Sequence, residues 1–199
     1  MRQRHRGEFE PIAALACDAS LRLNNLMIDP AIKIRPARLA DMPTIGDIVA
    51  TSWRHTFDGI LPQDFLASIT PESQKSRHEQ TFARDGLYYL VAAGAKAGEV
   101  VGFASWGPGR DPSFAIPYEL YALYLRPSFE RQGIGRLLLE SAISAVATSG
   151  ETALYLTALA LNPNRGFYRR LGGIAIDAPS IQLGNASYEQ IGFVWHLAP

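Results

Sequence analysis

The feature that most constrains this chain is a glycine turn between an apolar strand pattern and an apolar helix pattern. Residues 118–125 are rich in aromatic and aliphatic side chains, Gly133-Ile134-Gly135 follows, and residues 134–149 read as a helix. Glycine adopts backbone conformations that other residues avoid. The first N–H groups of a helix lack intrahelical partners and favour a negative charge nearby. This order of elements therefore predicts a site for a phosphate-bearing ligand.

Two common phosphate-binding loops do not match this turn. The dinucleotide fingerprint needs a third glycine three residues after Gly135, where this chain has Leu138. The nucleoside-triphosphate loop ends in Gly-Lys-Ser/Thr, whereas Arg136 and Leu137 follow Gly135 here. A Gly-x-Gly sequence alone also fits an ordinary tight turn, so the function of this one depends on the rest of the chain.

A second motif lies further along the chain, at residues 162–173. Asn162 suits a helix N-cap, and Gly172 suits the end of the same helix. Phe167 and Leu171 are four residues apart and therefore share one helix face. The caps and the apolar pair also fit an ordinary surface helix, so this segment indicates a function only in combination with the glycine turn.

Together the two segments resemble the Gcn5-related N-acetyltransferase (GNAT) superfamily. Residues 130–135, Glu-Arg-Gln-Gly-Ile-Gly, are similar to its acetyl-CoA loop, Gln/Arg-x-x-Gly-x-Gly/Ala, with Glu130 in place of the usual Gln or Arg. The downstream segment supplies the Asn, the Phe-Tyr pair and the Gly-Gly that the superfamily has after its fifth strand. Residues 53–62 resemble the segment that joins the first two helices in many bacterial members. The resemblance covers about residues 31–197.

The resemblance implies an α/β GNAT acyl-CoA N-acyltransferase fold, in which helices flank a mixed, mostly antiparallel central sheet whose strands four and five splay apart. The pattern predicts strands at about 31–36, 87–93, 99–106, 118–125, 152–158, 174–183 and 188–197. It predicts helices at about 41–56, 63–84 with an interruption near 70–71, 134–149 and 162–171, the first capped by Asp41. Residues 1–30 form an extension, flexible or loosely docked, and residues 31–199 form the GNAT domain.

The resemblance also implies transfer of an acetyl group from acetyl-CoA to a primary amine by direct attack in a ternary complex. Backbone groups of strand four would pair with the pantetheine arm, and one N–H would polarise the thioester carbonyl. The loop would bind mainly through backbone N–H groups, with Glu130 turned to solvent. The implied cofactor-binding residues are Leu123, Tyr124, Leu125, Arg131, Gln132, Gly133, Ile134, Gly135, Arg136 and Asn162.

Two residues are candidates for acid and base. Tyr168 would donate a hydrogen bond to the departing CoA sulfur, and the alternative is a half-buried core tyrosine with a satisfied hydroxyl. The amine must lose a proton to attack, because a lysine-like amine has a pKa of about 10.4. Glu119 is the candidate base, with a solvated strand-end carboxylate or a water chain as alternatives. Strand alternation predicts that Glu119, Tyr121 and Leu123 share one face.

The acceptor is less constrained than the cofactor. Trp53, Arg54 and Phe57 would line its pocket, with core packing as the alternative for the two aromatics. A small-molecule amine and a peptide amine both remain open, from antibiotic, polyamine or amino acid to a protein N-terminus or lysine, because acceptor loops vary on one scaffold. A CoA-binding regulatory protein without turnover is a second hypothesis, which only Glu130 supports.

Composition disfavours other classes of function. Lys+Arg and Asp+Glu number 19 each, so no basic field favours nucleic acid or an anionic membrane. Cys17 is the only cysteine, which favours a reducing compartment and a cytoplasmic location. His55 and His78 lack ligand spacing, so no metal site is predicted. The apolar run at 11–17 follows two glutamates, unlike a secretory signal, and apolar side chains of the extension leave a homodimer open.

Overall fold

The computed structural model describes residues 29–94 and 99–197, in which one sheet has the strand order β1-β2-β3-β4-β5-β7-β6. The strands are β1 (Lys33–Pro36), β2 (Tyr88–Ala93), β3 (Val100–Pro108), β4 (Tyr118–Leu125), β5 (Ala153–Leu159), β6 (Ile174–Leu183) and β7 (Ala186–His196). Neighbouring strands are antiparallel except β4 and β5, which run parallel. The predicted mixed, mostly antiparallel sheet is therefore confirmed.

Helices accompany the sheet at the positions that the sequence predicts. They are α1 (Met42–Phe57), α2 (Gln63–Ser68), α3 (Pro71–Phe82), α4 (Ile134–Thr148) and α5 (Gly166–Arg170). The interruption near residues 70–71 arises because Thr70 caps α3, where its hydroxyl accepts from the Ser73 N–H at 3.1 Å. The last helix is shorter than predicted, because a 3-10 turn at Pro163–Arg165 precedes it. The predicted extension falls mostly on residues 1–28, which lie outside the described residues.

Asp41 does not cap α1 as predicted. Its carboxylate accepts two hydrogen bonds from the Arg35 guanidinium, at 2.7 and 2.9 Å, and one from the Arg38 N–H at 2.7 Å. Burial raises the pKa of Asp41, but the bonds from Arg35 and Arg38 outweigh it, and the pKa lies below its usual value. The charge-assisted pair replaces the cap and fixes the end of β1 to the start of α1.

Two apolar cores lie on opposite faces of the sheet. On one face α4 packs against the central strands, where Leu138 and Leu154 are fully buried. On the other face α1 packs against β3 and β4 through Ile45 and its neighbours, which enclose Phe103. The helix α3 packs closely across α1 at Gly46. None of the helices in the described residues is long and apolar enough to cross a bilayer.

The strands β4 and β5 pair only where they begin. Two register pairs join them, Tyr118 with Leu154 and Glu119 with Tyr155, although both strands continue for several residues. Beyond these pairs, the backbone groups on this edge of β4 have no partner on β5. The predicted splay of strands four and five is confirmed, and it leaves a gap that crosses the sheet.

A bulge in β4 overturns the predicted strand faces. The register against β3 skips Tyr121, which lies between the paired residues Leu120 and Ala122. An extra residue shifts the alternation of side chains by one position. Leu123 consequently packs in the core beneath α4, whereas Glu119 lies on the opposite face. The prediction that Glu119 and Leu123 share one face is therefore wrong.

Candidate functional site

A cleft of about 1440 Å³ runs through the gap between β4 and β5. One wall comes from the glycine turn, the start of α4 and the segment around α5, which lie on one face of the sheet. The other wall comes from α1, α2 and α3 with cleft-facing side chains of β2 and β4. A site for one small ligand typically encloses roughly 300–1000 Å³. This cleft therefore has room for two ligands at once.

The glycine turn presents free N–H groups to the cleft. Arg131 and Gly133 adopt positive φ values of 58° and 82°, and Gly133 is the residue that precedes α4. The Leu137 N–H donates to the Gly133 carbonyl at 3.0 Å, which is the first bond of the helix. The N–H groups of residues 134–136 therefore have no intrahelical partner, and the helix dipole adds partial positive charge at the same place.

Gly135 lets three elements of this wall meet. A β-carbon added at Gly135 would lie 3.4 Å from Leu125 on β4 and 3.4 Å from Phe167 on α5. These distances lie at the short end of ordinary packing, so a larger side chain would push the elements apart. Glycine at position 135 therefore permits a close approach between α4, β4 and α5.

Most of the predicted cofactor-binding residues line the cleft. Those that do are Leu123, Tyr124, Leu125, Arg131, Gly133, Gly135, Arg136 and Asn162. Gln132 is instead exposed, and its side-chain amide donates to the Ser128 carbonyl at 2.9 Å. Ile134 has a buried side chain in the core, so only its backbone can face a ligand.

Glu130 is less exposed than a residue turned fully to solvent. It is half-buried and lines the cleft. A 3-10 turn at Pro127–Phe129 positions it, because the Glu130 N–H closes that turn by donating to the Pro127 carbonyl at 3.2 Å. The wall with the glycine turn therefore includes one acidic residue, whose charge opposes the binding of an anion there.

Asn162 caps the turn before α5, as predicted. Its Oδ1 accepts a hydrogen bond from the Asn164 N–H at 2.8 Å. The side-chain NH₂ group makes no hydrogen bond to the described residues and is free to donate into the cleft. Gly172 ends the segment with a φ of 83°, also as predicted.

Tyr168 lies in an aromatic cluster beside the gap. Its ring centroid lies 5.3 Å from those of both Phe167 and Phe193, and 6.4 Å from that of Trp195. The hydroxyl makes no hydrogen bond to any residue that the structure describes, and Tyr168 lines the cleft. Burial, and then the nearby Tyr124 hydroxyl, raises the pKa of Tyr168 above its ordinary value. The phenol therefore keeps its proton at neutral pH and is a donor.

Glu119 is buried, and its oxygens are occupied. Oε2 accepts from the Tyr155 hydroxyl at 3.0 Å, from the Arg110 N–H at 3.0 Å and from Arg110 Nε at 2.9 Å. Arg110 Nη2 donates to Oε1. Arg110 lines the cleft and lies 4.4 Å over the ring centroid of Tyr121, whereas Glu119 is 4% exposed and does not line the cleft.

Trp53 and Phe57 face the cleft, but Arg54 does not. Trp53 Nε1 donates to the Tyr124 hydroxyl at 2.9 Å, and the Trp53 and Phe57 rings pack 5.0 Å apart. Arg54 is exposed, and its Nε donates to the Ala50 carbonyl at 3.0 Å. One residue along a helix turns a side chain by about 100°, which carries Arg54 away from the wall that Trp53 forms. The two aromatics combine cleft lining with core packing.

His78 and Tyr89 are cleft residues that the sequence did not reveal. His78 Nδ1 lies 3.0 Å from the Tyr89 hydroxyl, and its ring packs edge-on against Phe103 at 5.3 Å. Burial, and then the charge of Arg77, lowers the pKa of His78 to about 4, so the imidazole is neutral at pH 7. Among the described residues, no group of three or more His, Cys, Asp or Glu is arranged to hold a metal ion.

Comparisons with known proteins agree with this geometry. A family model described as "Acetyltransferase (GNAT) family" matches residues 53–173. An uncharacterized N-acetyltransferase of Bacillus subtilis, YuaI, is 28% identical over 164 residues, which cover 82% of this chain and 92% of that protein. A spermidine N(1)-acetyltransferase of Thermoplasma acidophilum is 26% identical over 131 residues, which cover 63% of this chain and 78% of that protein.

A solved structure shares the fold. The crystal structure of the PaiA N-acetyltransferase of Thermoplasma acidophilum in complex with coenzyme A superposes with a TM-score of 0.66 at 21% identity, over 81% of this chain and 97% of that chain. The family match spans more than half of the chain and includes β4, the glycine turn, β5 and α5. The chain therefore belongs to the GNAT acetyltransferase family, which makes this protein an acetyltransferase.

Acidification should destabilise the fold through His78. Its pKa is about 4 in the folded protein and near 6.5 in the unfolded chain, so the unfolded chain binds more protons between these values. Stability from this group is present above pH 6.5 and falls as the pH drops toward 4. We expect a loss on the order of 1–2 kcal/mol in the free energy of unfolding between pH 6.5 and 5, measured by urea denaturation.

The variant His78→Gln should lack this part of the pH dependence. His55→Gln replaces an exposed histidine of α1 and is the matched control, so it should keep the wild-type dependence. If His78→Gln loses as much stability on acidification as the wild type, then His78 is not the group responsible.

Proposed function

We propose that this protein transfers the acetyl group of acetyl-CoA to a primary amine by direct attack in a ternary complex. The observation that carries the proposal is the cleft through the splayed strands. The free N–H groups of residues 134–136 lie at one wall, and the unpaired Tyr168 hydroxyl lies beside the gap. Acetyl-CoA supplies an activated thioester, which the protein has to bind and orient. The protein also has to provide a route for the proton that leaves the amine and a donor for the proton that the departing thiolate gains.

The turn and the open edge of β4 fit the two parts of the cofactor. Pyrophosphate matches free N–H groups at a helix N-terminus, and Arg131 and Arg136 add positive charge to the same wall. Arg136 Nε is held by Glu140 at 2.7 Å, which leaves its other donors available. The extended pantetheine chain can add to the unpaired edge of β4 as another strand would. The fold relative PaiA, whose structure contains coenzyme A, supports this assignment.

The backbone of β4 beyond the bulge would orient the acetyl group. An N–H that is unpaired on this edge is already fixed in place, and such a donor stabilises negative charge as it develops on a carbonyl oxygen. The amine would approach from the opposite wall, past Trp53 and Tyr124, whose side chains are tied together. Holding both reactants in one cleft removes the entropic cost of their encounter from the chemical step.

Tyr168 is suited to protonate the departing thiolate. Its hydroxyl is protonated, lacks a partner among the described residues and lines the cleft. The surrounding aromatic rings fix its orientation, so the donor needs little reorganisation. Asn162 would add a hydrogen bond from its free NH₂ group to the pantetheine chain.

The geometry favours a water chain over Glu119 as the group that takes the proton from the amine. Four donors occupy the Glu119 oxygens, and Arg110 would have to release the carboxylate before it could accept a proton from the cleft. A water chain needs no such rearrangement, because polar side chains such as Ser105 and Gln190 line the cleft.

A CoA-binding protein without turnover is the second candidate function. The half-buried Glu130 favours it, because a carboxylate beside the pyrophosphate opposes tight productive binding. The geometry around Tyr168 favours turnover. A screen of amines with acetyl-CoA decides between the two, since any acetylated product excludes the second candidate.

Acetyl-CoA should bind and stabilise the protein. At a concentration one hundred times its dissociation constant, the expected rise in Tm is roughly 5–10 °C for a chain of this size. Gly135→Glu should abolish both the stabilisation and the heat of binding, because its side chain would displace Leu125 and Phe167 and bring a charge toward the phosphates. Thr148→Glu adds the same charge at the exposed far end of α4 and should bind normally. An unchanged Tm at saturating acetyl-CoA would contradict the proposal.

Tyr168→Phe should slow turnover without loosening the cofactor. The change removes one hydroxyl and keeps the ring, so packing against Phe193 survives. General-acid assistance is worth about 10²- to 10⁴-fold, and we expect kcat to fall at least about tenfold while acetyl-CoA affinity stays the same. Tyr188→Phe on β7, outside the cleft, is the control. The assay uses an amine acceptor or the hydrolysis of acetyl-CoA by water. A wild-type kcat in Tyr168→Phe would remove Tyr168 from the mechanism.

Glu119→Gln should affect stability more than the pH profile. The amide loses the charge that Arg110 binds, which we expect to cost about 1–3 kcal/mol of unfolding free energy. With a water chain as the base route, the pH–rate profile keeps its wild-type shape. A profile that loses its acidic limb and recovers activity toward the pKa of the amine would instead identify Glu119 as the base.

A further inference from the structure

The wall of the cleft opposite the glycine turn carries unbalanced positive charge. We call it the acceptor wall and define it as the cleft-lining residues of α1, α2 and α3, of residues 84–89 and of residues 108–110. Its charged members are Arg77, Arg84, Arg110 and Asp85. The other cleft-lining carboxylate, Glu130, belongs to the glycine turn on the far wall. Because Glu119 neutralises Arg110, the surplus that faces the space left for the second substrate comes from Arg77 and Arg84 against Asp85.

Arg77 and Arg84 are the available cations of this wall. The Arg110 guanidinium is already bound by Glu119, whereas Arg77 and Arg84 form no ion pair with the described residues. Arg77 lies on α3, Arg84 follows two residues after the end of that helix, and both line the cleft. Both are exposed, and so is Asp85, which places them at the mouth of the cleft.

The charge of Arg77 contributes to the pKa shifts of three residues that line the cleft. It adds to the burial that lowers the pKa of His78, and it opposes the burial that raises the pKa of Tyr89 and of Tyr124. Tyr124 lies on β4, with its hydroxyl bonded to Trp53, next to the edge where the acetyl group would lie. Arg77 therefore lines the same part of the cleft as His78 and Tyr89.

We propose that the acceptor is a small primary amine that also carries an anionic group, a carboxylate or a phosphoryl group, held by Arg77 with Arg84 while the amine reaches β4. This inference rests on the proposed acetyl transfer and narrows its acceptor. A guanidinium fork binds such groups with two parallel hydrogen bonds. A polyamine would bring several positive charges to a wall whose described residues offer one exposed carboxylate, and like charges oppose binding. This wall therefore disfavours the acceptor named for the spermidine N(1)-acetyltransferase relative.

Amines that differ only in their far end test the proposal. The compounds 4-aminobutyrate, butylamine and 1,3-diaminopropane share three methylene groups and end in carboxylate, methyl and ammonium, and phosphoethanolamine against ethanolamine tests the phosphoryl form. We expect kcat/KM for an anionic amine to exceed that of its neutral analogue by at least about tenfold, with the diamine lowest. Added salt should reduce the preference, because screening acts over about 8 Å at physiological ionic strength. Equal rates, a preference for the diamine, or no turnover of either anionic amine would overturn the proposal.

Variants of Arg77 locate the preference. Arg77→Gln should reduce it at least about tenfold, and Arg77→Glu should shift it toward the diamine. Lys75→Gln is the matched control, because Lys75 lies on the same helix, pairs with Glu72 at 3.4 Å and does not line the cleft, so its preference should be that of the wild type. An anionic preference that survives in Arg77→Gln would overturn the assignment of Arg77.

Calorimetric titration with acetyl-CoA separates this inference from the proposed function. Binding by the wild type without an anionic preference would overturn the inference alone. Absence of binding by the wild type would overturn the proposed function itself. Arg77→Gln should bind acetyl-CoA with wild-type affinity, and a tenfold weaker affinity would place Arg77 in the cofactor site and overturn the proposal.

Discussion

The contact between Glu119 and Tyr155 holds the sheet together at the point where it opens. The two residues are partners in the last register pair that joins β4 to β5, and their side chains are hydrogen-bonded across that pair at 3.0 Å. Arg110 adds three donors from the loop that precedes β4. Charge-assisted bonds to a buried carboxylate are among the stronger ones in proteins. The two strands are fixed where they begin, and the cleft exists because they separate beyond that point.

Local signals in the sequence predicted the elements around the glycine turn well. The bounds of β4 and the start of α4 follow from a strand, a glycine turn and a helix that are contiguous in the chain. Asn162 caps the 3-10 turn before α5, and Gly172 follows α5 with a positive φ, and both depend on near neighbours in the chain. Capping and turn formation depend on a few adjacent residues, so a single sequence contains most of the information that they need.

Long-range contacts account for what the sequence did not predict. The bulge at Tyr121 depends on register with β3, and the burial of Glu119 depends on Arg110 and on a strand that begins far along the chain. His78 looked like a lone histidine, because Tyr89 and Phe103 reach it only once β2 and β3 are assembled. A net charge of zero likewise concealed the cationic character of the acceptor wall, since opposite charges elsewhere cancel in the sum.

The passage of the cleft through the sheet would give the two reactants of the proposed reaction separate routes of entry. The glycine turn and α5 belong to the face that α4 covers, whereas α1 and α3 cover the other face. A molecule leaving past the turn does not cross the path of one leaving past α3. In the proposed reaction, neither product would block the exit of the other. The two walls can also change independently, which lets a fixed cofactor half serve many different acceptors.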